Sequence, residues 1–418
     1  MTFSSKLTSN SQAKKTGNRS IKACLLFAAL FTGSFNLLAD EDRIDVYDVQ
    51  AVENVTETVV IPIIGAMDST GLLAGSVVTV TGVGQPQAQV VGFGAYSVNN
   101  SYISYLGYFN LGLTERWTMD ISGLQAEFMD TQMFIGERPD DPIDVPNDAS
   151  YLQRDWLLTF RYLLSESHQQ AYKAPLLGLP TTHEYTARTV FEVEPFYRSR
   201  DFRSDYVSNV EGRTAGVQFT LDHDARNYAP SPNAGHHSYA RLIRDWGNAE
   251  RASYTRLEAQ QVNYFDLGNT SWTRQQSLSL TAYISDIPTW DKNDPNSQPA
   301  WFAQSVLGGG DRMRGYADDY FNDRSALFYA AEYRMIPSWQ PQTSAPFIRN
   351  YNFPWWQFAV FAEMGKVEDQ LDIAKLHQNM NWSAGFGARI FIENIVARAD
   401  LGFSKDDSIF RFTVNQPF

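Results

Sequence analysis

From Glu57 onward the chain repeatedly sets apolar residues against polar or small ones at every second position. A two-residue period is the signature of strands, because side chains alternate across a pleated strand and recur every 3.6 residues on a helix. The pattern is cleanest at the end. Trp382, Ala384, Phe386, Ala388 and Ile390 oppose Ser383, Gly385, Gly387 and Arg389. Ile395, Ala397, Ala399, Leu401 and Phe403 oppose Arg398, Asp400 and Gly402. Phe410, Phe412, Val414 and Phe418 share one face against Arg411, Thr413 and Asn415, so the chain is expected to end inside a strand with an aromatic outward face.

The same reading predicts early strands at Glu57–Met67, Leu72–Gly82, Ala88–Asn99, Tyr102–Gly112 and Trp117–Met129, joined by short turns such as Asp68-Ser69-Thr70-Gly71. It predicts further strands at Leu152–Leu164, Thr189–Tyr197, Arg213–Asp222, Ser238–Trp246, Ser253–Phe265, Gln276–Ile284, Ala326–Met335 and Trp356–Val367. With the three late strands the total is sixteen. Alternation alone fits either a soluble sandwich or a membrane barrel whose apolar face looks out to lipid and whose polar face looks into the lumen. Three features favour the barrel: strands fill the whole chain, the chain ends on an aromatic, and long irregular loops alternate with short joints. The aromatic content of 14% supplies the Trp and Tyr that barrels place in girdles at the headgroup level. After the first forty residues no uninterrupted apolar run reaches the ~18 residues a helical span needs. The fold expected is all-β: a 16-stranded antiparallel transmembrane barrel. An unpaired backbone edge in lipid is costly, so the first strand is expected to pair with the last.

The start has a different character. Lys14, Lys15, Arg19 and Lys22 precede an apolar stretch from Ala23 to Ala39, and acids begin at Asp40. This is the pattern of a secretory signal peptide spanning 1–39, followed by a short periplasmic segment 40–56 and the barrel 57–418. The only cysteine, Cys24, lies inside that leader. Removing the leader takes away five basic residues (Lys6 and the four above) and no acids. The net charge of −13 then becomes −13 − 5 = −18. So acidic a chain is a poor nucleic-acid ligand.

Enzymatic chemistry finds no foothold. The histidines are His168, His183, His223, His236, His237 and His377; none sits in a nucleophile motif, and the adjacent pair His236-His237 would project to opposite faces of a strand. No cofactor and no metal site is expected. Two stretches fit no strand: the acidic, Pro-containing Thr131–Ser150 and the longer insertion Pro288–Arg324.

The second insertion carries the distinctive motif. Gly308, Gly309 and Gly310 precede Arg312 and then Met313-Arg314-Gly315-Tyr316. Downstream stand Glu332-Tyr333-Arg334, Glu363-Met364-Gly365, a Gly-x-Gly-x-Arg segment ending at Arg389, Arg398-Ala399-Asp400, and the terminal Phe418. In this order and spacing the chain resembles the outer-membrane assembly and secretion barrels of the BamA/TamA type, the bacterial surface antigen family. The match is dense over about Leu307–Phe418 and looser before it. The resemblance implies that the insertion is the sixth extracellular loop, folded back into the lumen. Alternation on Trp356–Val367 already points Glu363 inward with Gln357, Phe361 and Gly365. The resemblance then implies that Arg314 meets Glu363 there, in the geometry by which a guanidinium offers a carboxylate two parallel hydrogen bonds. Most relatives have Asp at that position, and Glu363 is one methylene longer. On this expectation a charge swap of Arg314 and Glu363 would rescue the single changes. The other lumen charges (Glu332, Arg334, Arg389, Arg398 and Asp400) read as a solvated or mutually paired interior, and Phe418 as a C-terminal barrel signal.

Relatives carry folded periplasmic POTRA modules before the barrel. Asp40–Thr56 falls well below the ~40 residues at which a domain begins to fold unaided, so a barrel-only member is expected. The implied location is the outer membrane. The implied partners are outer-membrane lipid, the barrel-assembly machinery for the chain's own insertion, and either client outer-membrane proteins or a separately encoded periplasmic partner. The rival reading is a passive pore for small solutes.

Overall fold

The computed structural model describes residues 56–67, 71–129, 149–170, 184–204, 210–340, 353–392, 395–414 and 416–418. The expected leader, most of the segment after it and residues 131–148 of the acidic stretch lie outside the described residues. The wall begins with β1 (Glu57–Met67), β2 (Gly71–Thr81), β3 (Gln89–Ser97), β4 (Tyr102–Gly112), β5 (Trp117–Phe128) and β6 (Ala149–Gln170). It continues with β7 (Glu184–Ser204), β8 (Val210–Asp224), β9 (Gly235–Trp246), β10 (Ser253–Gly268) and β11 (Thr273–Asp286). Two short strands inside the long loop, β12 (Ser305–Leu307) and β13 (Phe321–Asp323), interrupt the wall. It resumes with β14 (Ser325–Pro337), β15 (Trp355–Glu368), β16 (Asn381–Ile392), β17 (Ile395–Ser404) and β18 (Ser408–Val414).

The sixteen wall strands form one antiparallel sheet in chain order. Each expected strand is present. β6 and β7 run well past the expected 152–164 and 189–197, because ladder hydrogen bonds pair backbone irrespective of side-chain polarity and the hairpin continues through Ser165–Gln170. The sheet curls until strands far apart in sequence face one another. Residues after β18 hydrogen-bond to the β8–β9 turn, and the turn ring Tyr228 meets Phe391 of β16 edge-on at 6.4 Å.

The outward face is apolar. Leu106, Ile121, Val360, Phe386 and Phe410 are all exposed there, which is the arrangement that suits hydrocarbon. Among the described residues no helix is long and apolar enough to cross a membrane.

The inner face is of two kinds. Over β6–β11 and β14–β18 it is charged. Arg161 pairs with Asp120 of β5 and with Glu192 of β7, Arg200 with Asp155, and Glu258 with both Arg241 and Arg256. Over β1–β5 it is largely apolar. Ile63, Leu73, Val77, Val91, Phe93, Ile103, Tyr105, Leu124 and Phe128 are buried in one cluster. That quadrant departs from the expected polar lumen. Its strands are apolar on both faces, as the near-continuous run Val59–Ile64 shows.

Among the described residues no ladder joins β1 to β18; Phe412 of β18 packs against the β1–β5 cluster at this seam. One further expectation changes: Phe418 does not share the outward face of β18. The strand ends at Val414, and Phe418 lies buried among Tyr264, Met313, Tyr316 and Phe328 in the lumen. Pro417 ends the alternation because it has no N–H to give a ladder.

Candidate functional site: the loop 6 lock in the lumen

Loop 6 runs from Ile287 to Arg324 between β11 and β14 and turns back into the barrel. Single 3-10 turns at Pro295–Ser297 and Trp301–Ala303 shorten it. β12 and β13 pair to close its inner portion. The wall takes hold of it at several points. Trp301 packs against Phe202, the Arg200 guanidinium lies 4.8 Å from the Phe302 ring, and Arg256 Nη1 donates to the carbonyls of Ala303 and Gln304 at 2.7 Å each.

The tip is built for close approach. Gly308 and Gly309 adopt φ of 111° and 124°, a region that side chains rarely enter. Met313 adopts φ 58°, a strained choice for a residue with a side chain, and it is fully buried. That turn aims the flanking arginines at opposite walls. Arg312 donates to Tyr239 OH at 2.9 Å and Gln260 Oε1 at 3.0 Å, and lies 3.8 Å from the Tyr283 ring centroid. Arg314 goes the other way. At Gly315 a Cβ would meet the Phe403 carbonyl oxygen at 2.6 Å, so only glycine lets the loop backbone lie on β17.

Arg314 is 1% exposed and meets three carboxylates. Its Nε donates to Glu363 Oε1 at 2.7 Å, and its backbone N–H to Glu363 Oε2 at 2.6 Å. Its Nη1 donates to Glu332 Oε2 at 2.6 Å and Asp400 Oδ2 at 3.3 Å. Below the guanidinium lies the Phe361 ring, 3.4 Å from Cζ to centroid. The two-bond fork onto Glu363 is therefore replaced by a shared geometry. The extra methylene of Glu363 lets one carboxylate oxygen reach the loop backbone, and that oxygen also accepts from Ser383 Oγ at 2.6 Å.

The neighbouring charges belong to the same site. Glu332 takes Arg334 Nε at 2.6 Å and Arg389 Nη2 at 2.8 Å. Asp400 takes Arg398 Nε at 3.2 Å, and Arg398 Nη2 reaches the Gly310 carbonyl at 2.8 Å. All five of the expected lumen charges are 2% exposed or less, and each takes part in the ion-pair network, so this interior is buried and mutually paired. The acids Glu332, Glu363 and Asp400 face four arginines; Asp311, 3.5 Å from Arg398, supplies a fourth acid from the half-exposed loop. Such clusters hold only when every partner is present, because removing one leaves a buried charge uncompensated.

Arg312, Phe361 and Arg411 belong to the site as well, beyond the residues the motif marks. Arg411 Nη1 and Nη2 donate to the carbonyls of Arg314 and Tyr316 at 2.7 Å each, tying the loop backbone to β18. The signal was present: Arg411 is the cation on the inward face of the last strand, and Phe361 shares a face with Glu363. Gly365 lies under Leu307 and Met313, whose side chains a Cβ there would meet at 2.8 and 3.3 Å. Tyr316 meets the Tyr320 ring at a tilt and the Phe321 ring edge-on within the loop.

The other end of the lumen is also covered. The β8–β9 turn, 225–234, folds across it. Ser231 exchanges hydrogen bonds with Gln275 and accepts from Gln357 Nε2 at 3.0 Å. Tyr228 packs with Ile336, Trp355, Phe391 and Val396. His237 bonds Asp222, and the rings of His223 and His236 lie 5.2 Å apart. The pair His236-His237 thus parts to opposite faces. His183 lies outside the described residues. Among the described residues, no three His, Cys, Asp or Glu side chains gather in a way that would hold a metal ion.

A sixteen-strand antiparallel sheet, curled around an inward-folded loop whose arginine is bound by wall carboxylates, defines a plugged antiparallel β-barrel fold. Among solved structures the chain is similar to CdiB from Escherichia coli, with a TM-score of 0.54 and 12% identity over 87% of this chain and 62% of that one. It is similar to CdiB from Acinetobacter baumannii, with a TM-score of 0.52 and 13% identity over 88% of this chain and 60% of that one. BamA from Haemophilus ducreyi lacking POTRA domains 1-3 aligns at a TM-score of 0.49 and 10% identity, over 87% of this chain and 70% of that one. The chain has the CdiB barrel fold and spans about 60% of the length of the CdiB chains it matches. No family model matches the sequence. No curated protein sequence matches it.

Proposed function

We propose that this protein is an outer-membrane barrel that aids the insertion, secretion or organisation of outer-membrane proteins or lipid. The observation that carries this reading is the pairing of a plugged lumen with an unladdered seam. Loop 6 and the β8–β9 turn occupy the lumen from both ends, which suits a gated or templating barrel better than a constant aqueous channel. At the same time β1 and β18 share no ladder among the described residues. A seam without a continuous backbone ladder is where an incoming strand can add through main-chain hydrogen bonds. In this reading the Arg314 cluster holds the plug, the seam offers the template, and no catalysis is involved. Its partners are lipid, the machinery that inserts it, and client barrels or a separately encoded periplasmic protein.

The test is depletion in the native host, with outer-membrane proteins and surface lipid quantified together. Loss of a defined set of barrels or secreted proteins with lipid intact supports assembly or secretion. Disturbed lipid asymmetry with unchanged proteins moves the role to lipid. If neither changes, and the purified barrel shows a constant, high, solute-selective conductance, the reading fails in favour of the passive pore.

A further inference from the structure

The residues after β18 reach both loop 6 and the β8–β9 turn, which cover opposite ends of the lumen. β18 ends at Val414. Beyond it, Gln416 Nε2 donates to the Pro230 carbonyl of the β8–β9 turn at 2.7 Å and lies 3.4 Å from Gln357 Oε1 on β15. Phe418, 7% exposed, turns its ring toward two arginines of the lock, 5.8 Å from Arg314 Cζ and 6.0 Å from Arg334 Cζ. It shares a buried cluster with Leu307, Met313 and Tyr316 of loop 6 and with Tyr264 and Phe328 of the wall. One short tail therefore touches the plug at one end, the plug at the other and the arginine cluster, and it continues the strand that forms one edge of the seam.

We propose that the C-terminal tail Gln416–Phe418 is an internal latch that couples the seam strand β18 to both lumen plugs, so that the two plugs and the seam release together. The physical reason is economy of contacts. Among the described residues β18 is laddered to β17 alone, so its other ties (Arg411 to the loop 6 backbone, Phe412 to the β1–β5 cluster, and the tail) carry more of its hold. Here the end is tied by a ring over buried guanidinium groups, a contact that strengthens when desolvated, and by an amide donating into the opposite turn. Withdrawing the tail breaks both ties at once and removes the buried apolar surface that seats Met313 and Tyr316.

The test uses the full chain, purified and refolded, with hydrogen exchange followed at loop 6 (305–320), at the β8–β9 turn (225–234) and at β18. The discriminating result is transfer between ends. Gln416→Ala touches the β8–β9 turn and Gln357 but not loop 6, yet the latch requires exchange to rise about tenfold at both plugs and at β18. Phe418→Ala should do the same from the other side, and Phe418→Trp, which keeps a ring over the arginines, should restore protection. Single-channel recordings should show the same variants opening more often. Loosening confined to the nearer plug would overturn the proposal, as would unchanged exchange in Gln416→Ala. If Phe418→Ala does not refold, Gln416→Ala and Phe418→Trp still decide it.

Discussion

Replacing Arg314 by methionine keeps most of the side-chain volume and removes the guanidinium. The loss is not spread evenly over the three carboxylates. Glu332 keeps Arg334 and Arg389, and Asp400 keeps Arg398. Glu363 keeps only Ser383 Oγ and the loop N–H as donors, with no cation. A buried carboxylate stripped of its ion partner costs about 3–5 kcal/mol. That shifts the docked-to-released ratio of loop 6 by on the order of 10²–10⁴. Hydrogen exchange of residues 305–320 in the refolded barrel reads this directly, with β14 as an internal reference. Because the penalty sits at one carboxylate, adding Glu363→Gln should recover most of it. The double-mutant cycle should therefore give a coupling of about 3 kcal/mol, the upper end of what contacting residues show. The charge swap expected from a simple pair should not rescue, since a carboxylate placed at position 314 would face Glu332 and Asp400 as well. Additive single effects, or a swap that restores protection, would refute the three-carboxylate account.

Three other outcomes follow from the same geometry. Gly315→Ala should push the loop off β17 and cost about 1–3 kcal/mol, whereas Gly94→Ala, where a Cβ meets nothing within 4 Å, should stay within about 0.5 kcal/mol; equal effects in urea titrations would contradict the close approach. Burial and the neighbouring Asp318 push the Asp319 carboxyl up to about 7, so the docked loop binds more protons than the free one and its stability should fall as pH rises from about 4 to 7, then level off. Asp319→Asn should flatten that profile, and an unchanged slope in loop exchange would remove Asp319 as its source. Finally, the amides on the facing edges of β1 and β18 should exchange faster than those of β14, which is laddered on both sides; equal protection would mean that a ladder closes the seam in solution.

Much of this protein is written in its alternation. Sixteen strands, their order, and the inward aim of Glu363, Arg389, Arg398 and Asp400 follow from a two-residue period, because a strand has only two faces. The meeting of Arg314 with Glu363 was implied by motif order, not by any local rule. What sequence could not supply was the sharing of Arg314 among Glu332, Glu363 and Asp400, which sit on β14, β15 and β17 and come together only through the curl and stagger of the wall. Nor could it show that the β1–β5 lumen is apolar, that the β8–β9 turn folds inward, or that Phe418 leaves the strand pattern to lie beside Arg314. Periodicity reports which face a residue takes within its own strand; a lumen is made by strands far apart in sequence, and only the curled tertiary structure decides what each inward side chain finds across it.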